Sequence, residues 1–186
     1  MFLGGQISVH PNGHESIRSP KPIPKLSPEK LIHRYLLEKR ISIQHCCSMF
    51  RRDLLLDRPY PQQLQKGEDI PVFSFLLVSA PVITINQPLA RIHKHPDSLR
   101  HNRENEEANA LTLVEEVFSR LPEECQKLRR QYLAQRYLSL FRGALLAGDQ
   151  GIARRYYHKA LSLHLRQALR WSYLRKAILL SLGIKQ

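Results

Sequence analysis

Cysteine is scarce in this chain. Three residues in 186, two of them adjacent (Cys46, Cys47, Cys125), make neither a disulfide framework nor a CxxC metal knuckle. A reducing, intracellular setting is the expectation. No run of 18 or more apolar residues occurs. The longest candidate, 70–85, is broken by Pro71, Ser74, Ser79 and Pro81, so no segment reads as a bilayer span. Residues 1–20 lack the charged start and apolar run of a secretory signal, and the expected location is the cytoplasm. Proline disappears after Pro122, although 12 precede or include it, and acidic residues become nearly as rare. Asp-x-Asp occurs nowhere.

What is present is enough to fold. Hydrophobic residues make up 42% of the chain, sufficient to bury a core despite a net charge of +13. That charge is unevenly placed. Residues 120–186 hold 14 Lys and Arg against three acids, a net +11, which leaves the first 119 residues nearly neutral. A basic tail favours polyanions: nucleic acid, an anionic membrane or an acidic protein. Its cations are scattered around the helices, with no zinc, homeodomain or RNA-recognition signature, which argues against nucleic acid.

Local patterns divide the chain at the same place. Two short extended runs around Asn12-Gly13 predict a β-hairpin, and a proline-rich loop follows at 19–26. Ser27 and Pro28 are an N-cap and first helical residue, leading a helix to about Lys39. Residues 41–50 read as a buried strand and 51–56 as a helical turn. Glu68 and Asp69 then open a helix over the apolar run 70–80, where the helix dipole favours carboxylates. Two strands are expected at 82–85 and 89–92. Beyond a polar stretch, Leu133, Tyr137, Leu140, Phe141 and Ala144 form one helical stripe. Ala153, Tyr156, Tyr157, Ala160 and Leu161 form another, after the turn at Gly148-Asp149. This pair resembles a tetratricopeptide-type hairpin, which needs neighbours at about 104–119 and 166–182 to cover it.

Three phrases carry chemistry. Phe50-Arg51-Arg52-Asp53-Leu54-Leu55 comes first, and Gly67-Glu68-Asp69 stands at a helix start. The third is Pro88-Leu89-Ala90-Arg91-Ile92-His93-Lys94-His95-Pro96-Asp97-Ser98-Leu99. In this order and spacing they resemble the second half of family-2 glycosyltransferases of the GT-A fold, over roughly residues 40–101. The resemblance implies an α/β fold: a partial GT-A-type region at 1–101, followed by an all-α helical extension at 102–186. It also implies inverting transfer of a sugar from a nucleotide-sugar to a glycan or lipid-linked acceptor, as in the assembly of cell-envelope polysaccharide. With Asp-x-Asp missing, the donor-binding half is expected to be absent from this sequence.

The resemblance assigns roles residue by residue. Asp69 is the general base that takes the acceptor hydroxyl's proton, and Glu68 shapes the acceptor site. His95 is the ligand of a divalent metal, Mg or Mn, under the leaving diphosphate, with His93 as the competing assignment. Arg51 and Arg52 are substrate-binding candidates that grip phosphate. Each has a plainer reading. Glu68-Asp69 can simply begin a helix, the histidines can be surface strand residues, and Arg51-Arg52 a solvated pair. The Cys46-Cys47 pair beside His45 invites a nucleophile, but on a strand adjacent side chains point oppositely, and small buried residues are expected there. Trp171, Tyr173, Leu174, Ile178 and Leu179 among basic residues suggest a terminus that lies on the inner face of an anionic membrane. A non-catalytic module whose tail contacts a protein, a membrane or nucleic acid is the alternative function.

Overall fold

A computed structural model describes residues 1–64, 66–94 and 105–182. The hairpin forms around Gly13, whose φ of +79° suits a residue without Cβ. Its strands β1 (Phe2–Val9) and β2 (Glu15–Arg18) run antiparallel, with Gln6 opposite Arg18 and Val9 opposite Glu15. On the same edge of β1, a two-residue strand β3 (Ser48–Met49) pairs antiparallel with Phe2 and Leu3. On the other edge lies β4 (Ile83–His93), parallel to β1 from Phe2↔Ile83 to Val9↔His93. The result is a small mixed sheet beside a predominantly helical remainder.

Two expectations about strands need correction. The pair at 82–85 and 89–92 is one strand, not two. Its register slips on either side of Gly5, which faces Pro88. Proline gives the ladder no N–H, and the strand bulges there instead of ending. Gly4 and Gly5 permit this close pairing: a Cβ on Gly4 would lie 2.2 Å from Leu89 Cδ1, and one on Gly5 3.2 Å from the Gln87 carbonyl. The other correction concerns 41–50, which is not a buried strand. Ile41 and Cys47 are buried, but Ser42, His45 and Cys46 are exposed, and His45–Cys47 is a tight 3₁₀ turn. The turn brings the two sulfurs within 3.7 Å rather than opposing them. Burial and Cys46 push the Cys47 thiol up to about 11, against nucleophilic reactivity at neutral pH.

The helices follow their sequence signals more closely. Ser27 Oγ accepts from Lys30 N at 3.5 Å and caps α1 (Pro28–Ile32), which widens into a π turn at His33–Leu37. α2 (Arg52–Asp57) precedes α3 (Asp69–Ser79), which buries Val72, Phe73, Leu76 and Leu77. α4 (Glu106–Phe118) and the short α5 (Glu123–Gln126) lead to the long hairpin of α6 (Arg129–Leu146) and α7 (Gln150–Leu163). Gly148 takes φ +78°, and Asp149 Oδ1 accepts from Ile152 N at 3.0 Å to start α7. α8 (Leu165–Ala168) and α9 (Trp171–Ser181) close the described chain.

Two apolar clusters result. The first joins Leu3, Ile32, Val72, Phe73, Leu76 and Leu77 with Leu113, Val117, Phe118 and Tyr132. The second fills the helical hairpin with Leu138, Phe141, Ala144, Ala153 and Ala160, closed by Ala168 and Leu180. Side chains from α4 and α6 enter both. Each large side chain so buried contributes roughly 1.5–3 kcal/mol. No helix among the described residues is long and apolar enough to cross a membrane.

Candidate active site

The Gly67-Glu68-Asp69 phrase has a backbone reason for each member. Gly67 adopts φ +75°, which turns the chain into the helix, and its carbonyl accepts from Ile70 N at 3.0 Å. A Cβ there would also meet Ile70 Cδ1 at 3.3 Å. Glu68 is the N-cap residue and Asp69 the first residue of α3. The Asp69 carboxylate accepts its own backbone N–H and that of Ile70, and both bonds favour the charged form. Burial, followed by the Glu68 carboxylate, opposes it more strongly, and the Asp69 pKa is raised. A half-buried carboxylate made more basic in this way is suited to accept a proton.

The tight turn at 45–47 sets His45 over this helix start. Its ring packs edge-on against Phe73, one turn along α3 from Asp69, with centroids 5.4 Å apart. His45 Nε2 is hydrogen-bonded to Tyr60 Oη, and the rings meet at 5.2 Å. The imidazole lies within electrostatic reach of Asp69 and favours its ionised form. Tyr35 and Tyr60 feel the carboxylate in turn: burial first, then Asp69, raises both phenols. A small cleft of about 200 Å³ has Tyr35, Ile70, Tyr132 and Arg136 among its lining, so it adjoins this group through Tyr35 and Ile70, while Asp69, His45 and Tyr60 do not line it. The arrangement presents one basic carboxylate, an imidazole–phenol pair and aromatic walls.

The other expected site residues have different surroundings. Arg51 is exposed and committed to Asp53, with Nε 3.0 Å from Oδ1. Arg52 is exposed on the first turn of α2. His93 is exposed at the end of β4 opposite Val9, where the hairpin turn carries His10 and His14. It lies at the hairpin end of β4 and is not among the groups that act on the Asp69 carboxylate. His95 lies outside the described residues. Among the described residues, no group of three or more His, Cys, Asp or Glu side chains comes together as a metal site.

His45, Tyr35 and Tyr60 were missed as members of this group by sequence reasoning. The only signal was Pro59-Tyr60-Pro61, a rigid phrase shortly before Gly67-Glu68-Asp69. Compared with protein-family models, curated proteins and solved structures, the chain finds no match.

Proposed function

We propose that this chain supplies the acceptor side of an inverting, family-2-like glycosyltransferase. The observation that carries the reading is Asp69: a half-buried carboxylate of raised pKa at the start of a buried helix, with His45 and Tyr60 near it. The three phrases quoted above support it. Asp69 takes the proton of the attacking acceptor hydroxyl as oxygen bonds to the anomeric carbon. The bond from that carbon to the nucleoside diphosphate breaks, and its electron pair leaves with the diphosphate. Glu68 keeps Asp69 basic, while His45 and Tyr60 frame the carboxylate. A divalent ion with His95 as a ligand, and a nucleotide-sugar site carried by a separate segment with Asp-x-Asp, belong to the same proposal.

The test is sugar transfer from a panel of nucleotide-sugars to glycan acceptors, in the presence of such a donor-binding segment. Asp69→Asn is expected to lower kcat by at least about 10²-fold, as loss of a general base does. Circular dichroism checks that the fold is intact. Transfer by the folded variant at the native rate would refute the assignment.

A second observation bears on where the chain works. Trp171, Ile178 and Leu182 are exposed at helical spacing along and just beyond α9, with Arg175 between them and Leu165, Arg166, Leu169 and Arg170 next to them. Apolar and cationic side chains interleaved on one exposed terminus suit an anionic bilayer surface, where lipid-linked acceptors are found.

A further inference from the structure

A second cleft is unrelated to any phrase read from the sequence. It encloses about 820 Å³ between the end of β2, the proline-rich loop at 19–24 and the segment 39–44. Among the described residues five cations line it, Arg18, Lys21, Arg34, Lys39 and Arg40, and no carboxylate does. Arg40 is paired with Glu38 at 3.3 Å, whereas none of the other four makes an ion pair with a described carboxylate. Gathering like charges costs energy unless something of opposite sign enters. The cleft also receives Gln6, which is only 6% exposed. Its Nε2 donates to Ser8 Oγ at 2.9 Å, but its Oε1 is buried without a partner. An unpaired buried amide oxygen is expensive, and a ligand hydroxyl would satisfy it.

We propose that this cleft binds an acidic saccharide, its anionic groups held by Arg18, Lys21, Arg34 and Lys39 and one of its hydroxyls donating to Gln6 Oε1. The volume is that of a ligand site. Among the described residues no aromatic ring lines the cleft, so they offer no stacking platform for a nucleobase. Its neutral polar groups (Ser19, Ser42 and Gln44) are hydroxyls and an amide, matched to a hydroxyl-rich ligand. Lys39 lines both this cleft and the smaller one at Tyr35, Ile70 and Tyr132, so the two openings are neighbours. The assignment rests on the transfer reading in taking the ligand to be a saccharide, and it names the acceptor class as acidic.

Isothermal titration of the full chain tests it with four probes: trigalacturonate, a phosphorylated trisaccharide, neutral maltotriose and a single-stranded oligonucleotide. The expected result is binding of one or both acidic trisaccharides, with maltotriose at least about tenfold weaker. The two acidic probes separate carboxylate from phosphate recognition. Arg18→Gln combined with Lys21→Gln should weaken that binding by about tenfold or more, the scale of lost charge-assisted contacts. Gln6→Leu should weaken it without changing its salt dependence, and Arg166→Gln with Arg170→Gln in the tail should leave it unchanged. Binding of neither acidic probe, equal affinity for maltotriose, loss through the tail variant instead of the cleft variants, or tighter oligonucleotide binding in the cleft would each overturn the proposal. Its failure is separable from that of the transfer reading. Transfer to neutral acceptors without acidic-saccharide binding sinks only the cleft assignment, whereas acidic binding with full transfer by Asp69→Asn sinks only the catalytic one.

Discussion

Burial and the Glu68 carboxylate both oppose ionisation of Asp69, so the folded chain holds that proton more tightly than the unfolded chain does. The ionised group is then a liability to the fold above its raised pKa, and the penalty vanishes as pH falls below the unfolded value. Asp69→Asn is accordingly expected to stabilise the protein modestly at pH 7, because solvent screens a half-buried group. The gain should disappear in acid. Denaturant unfolding of both forms at pH 7 and pH 3 checks this, and a variant less stable at pH 7 would contradict it. Lys39 poses a complementary case. It ends the π turn with φ +55°, a left-handed conformation that glycine adopts freely, and Arg40 N donates to Arg34 O at 2.9 Å across it. Lys39→Gly should raise stability by up to about 1 kcal/mol. A lysine kept there at that cost is consistent with a task for its ammonium group between the two clefts. Gly67→Ala should have the opposite sign, losing about 1–2 kcal/mol through φ +75° and the Ile70 contact.

Between elements, two carboxylates on α4 organise the packing. Glu116 receives the buried Arg58 guanidinium, with Nη2 2.7 Å from Oε2 and 2.7 Å from the Glu116 carbonyl, and Gln63 donates to the same carboxylate. This fixes the segment after α2 against α4. Removing one member strands the other in the interior, so Glu116→Ala should cost about 3 kcal/mol in denaturant unfolding. A loss below 1 kcal/mol would show the pair to be solvated. Glu107, on the first turn of α4, meets Lys159 and Arg155 of α7 and Tyr137 of α6. The Lys159 ammonium holds its carboxyl below the ordinary glutamate range. Its contribution is present above the unfolded pKa and is lost as pH falls through the folded one. The melting temperature should therefore fall on acidification through and below the glutamate range, and less steeply in Glu107→Gln.

These elements also show what the sequence made legible. The α6–α7 hairpin could be read because its stripes and the Gly148-Asp149 turn are local patterns. The start of α3 could be read because Gly67, Glu68 and Asp69 are adjacent. The course of 41–50 could not: alternation of Ile41 and Ile43 resembles a strand, and the 3₁₀ turn at His45–Cys47 depends on what Phe73 and Tyr60 offer His45. The basic cleft escaped for the same reason. Arg18 lies far in sequence from Arg34 and Lys39, and only the folding of β2 and the proline loop beside the π turn brings them to one opening.

For the whole molecule, cations gather on two surfaces with different surroundings, one within the nearly neutral front part and one on the tail that carries +11 of the net +13. In the front part, cations crowd a concave cleft around a buried amide and favour a small anionic ligand. In the tail, they flank a convex terminus. Arg166, Arg170 and Arg175 are exposed beside Leu165 (58%), Leu169 (45%) and Trp171 (71%), none of which has a core to enter. Long cationic side chains beside exposed apolar groups let the latter enter a headgroup region while the charges stay with anionic lipid. Trp171 is the chain's single tryptophan, so its fluorescence reports this surface alone. Addition of anionic vesicles should shift its emission to the blue, and neutral vesicles or high salt should abolish the shift. Replacing Arg166 and Arg170 by Gln should weaken vesicle binding by about 2 kcal/mol, at roughly 1 kcal/mol for each cation near the surface. Trp171→Ala should weaken co-sedimentation with the same vesicles while leaving acidic-saccharide binding in the cleft intact. An unshifted emission in saturating anionic lipid would mean that the exposed stripe on α9 meets something other than a bilayer, and the charge of the tail would then have to be explained by a protein.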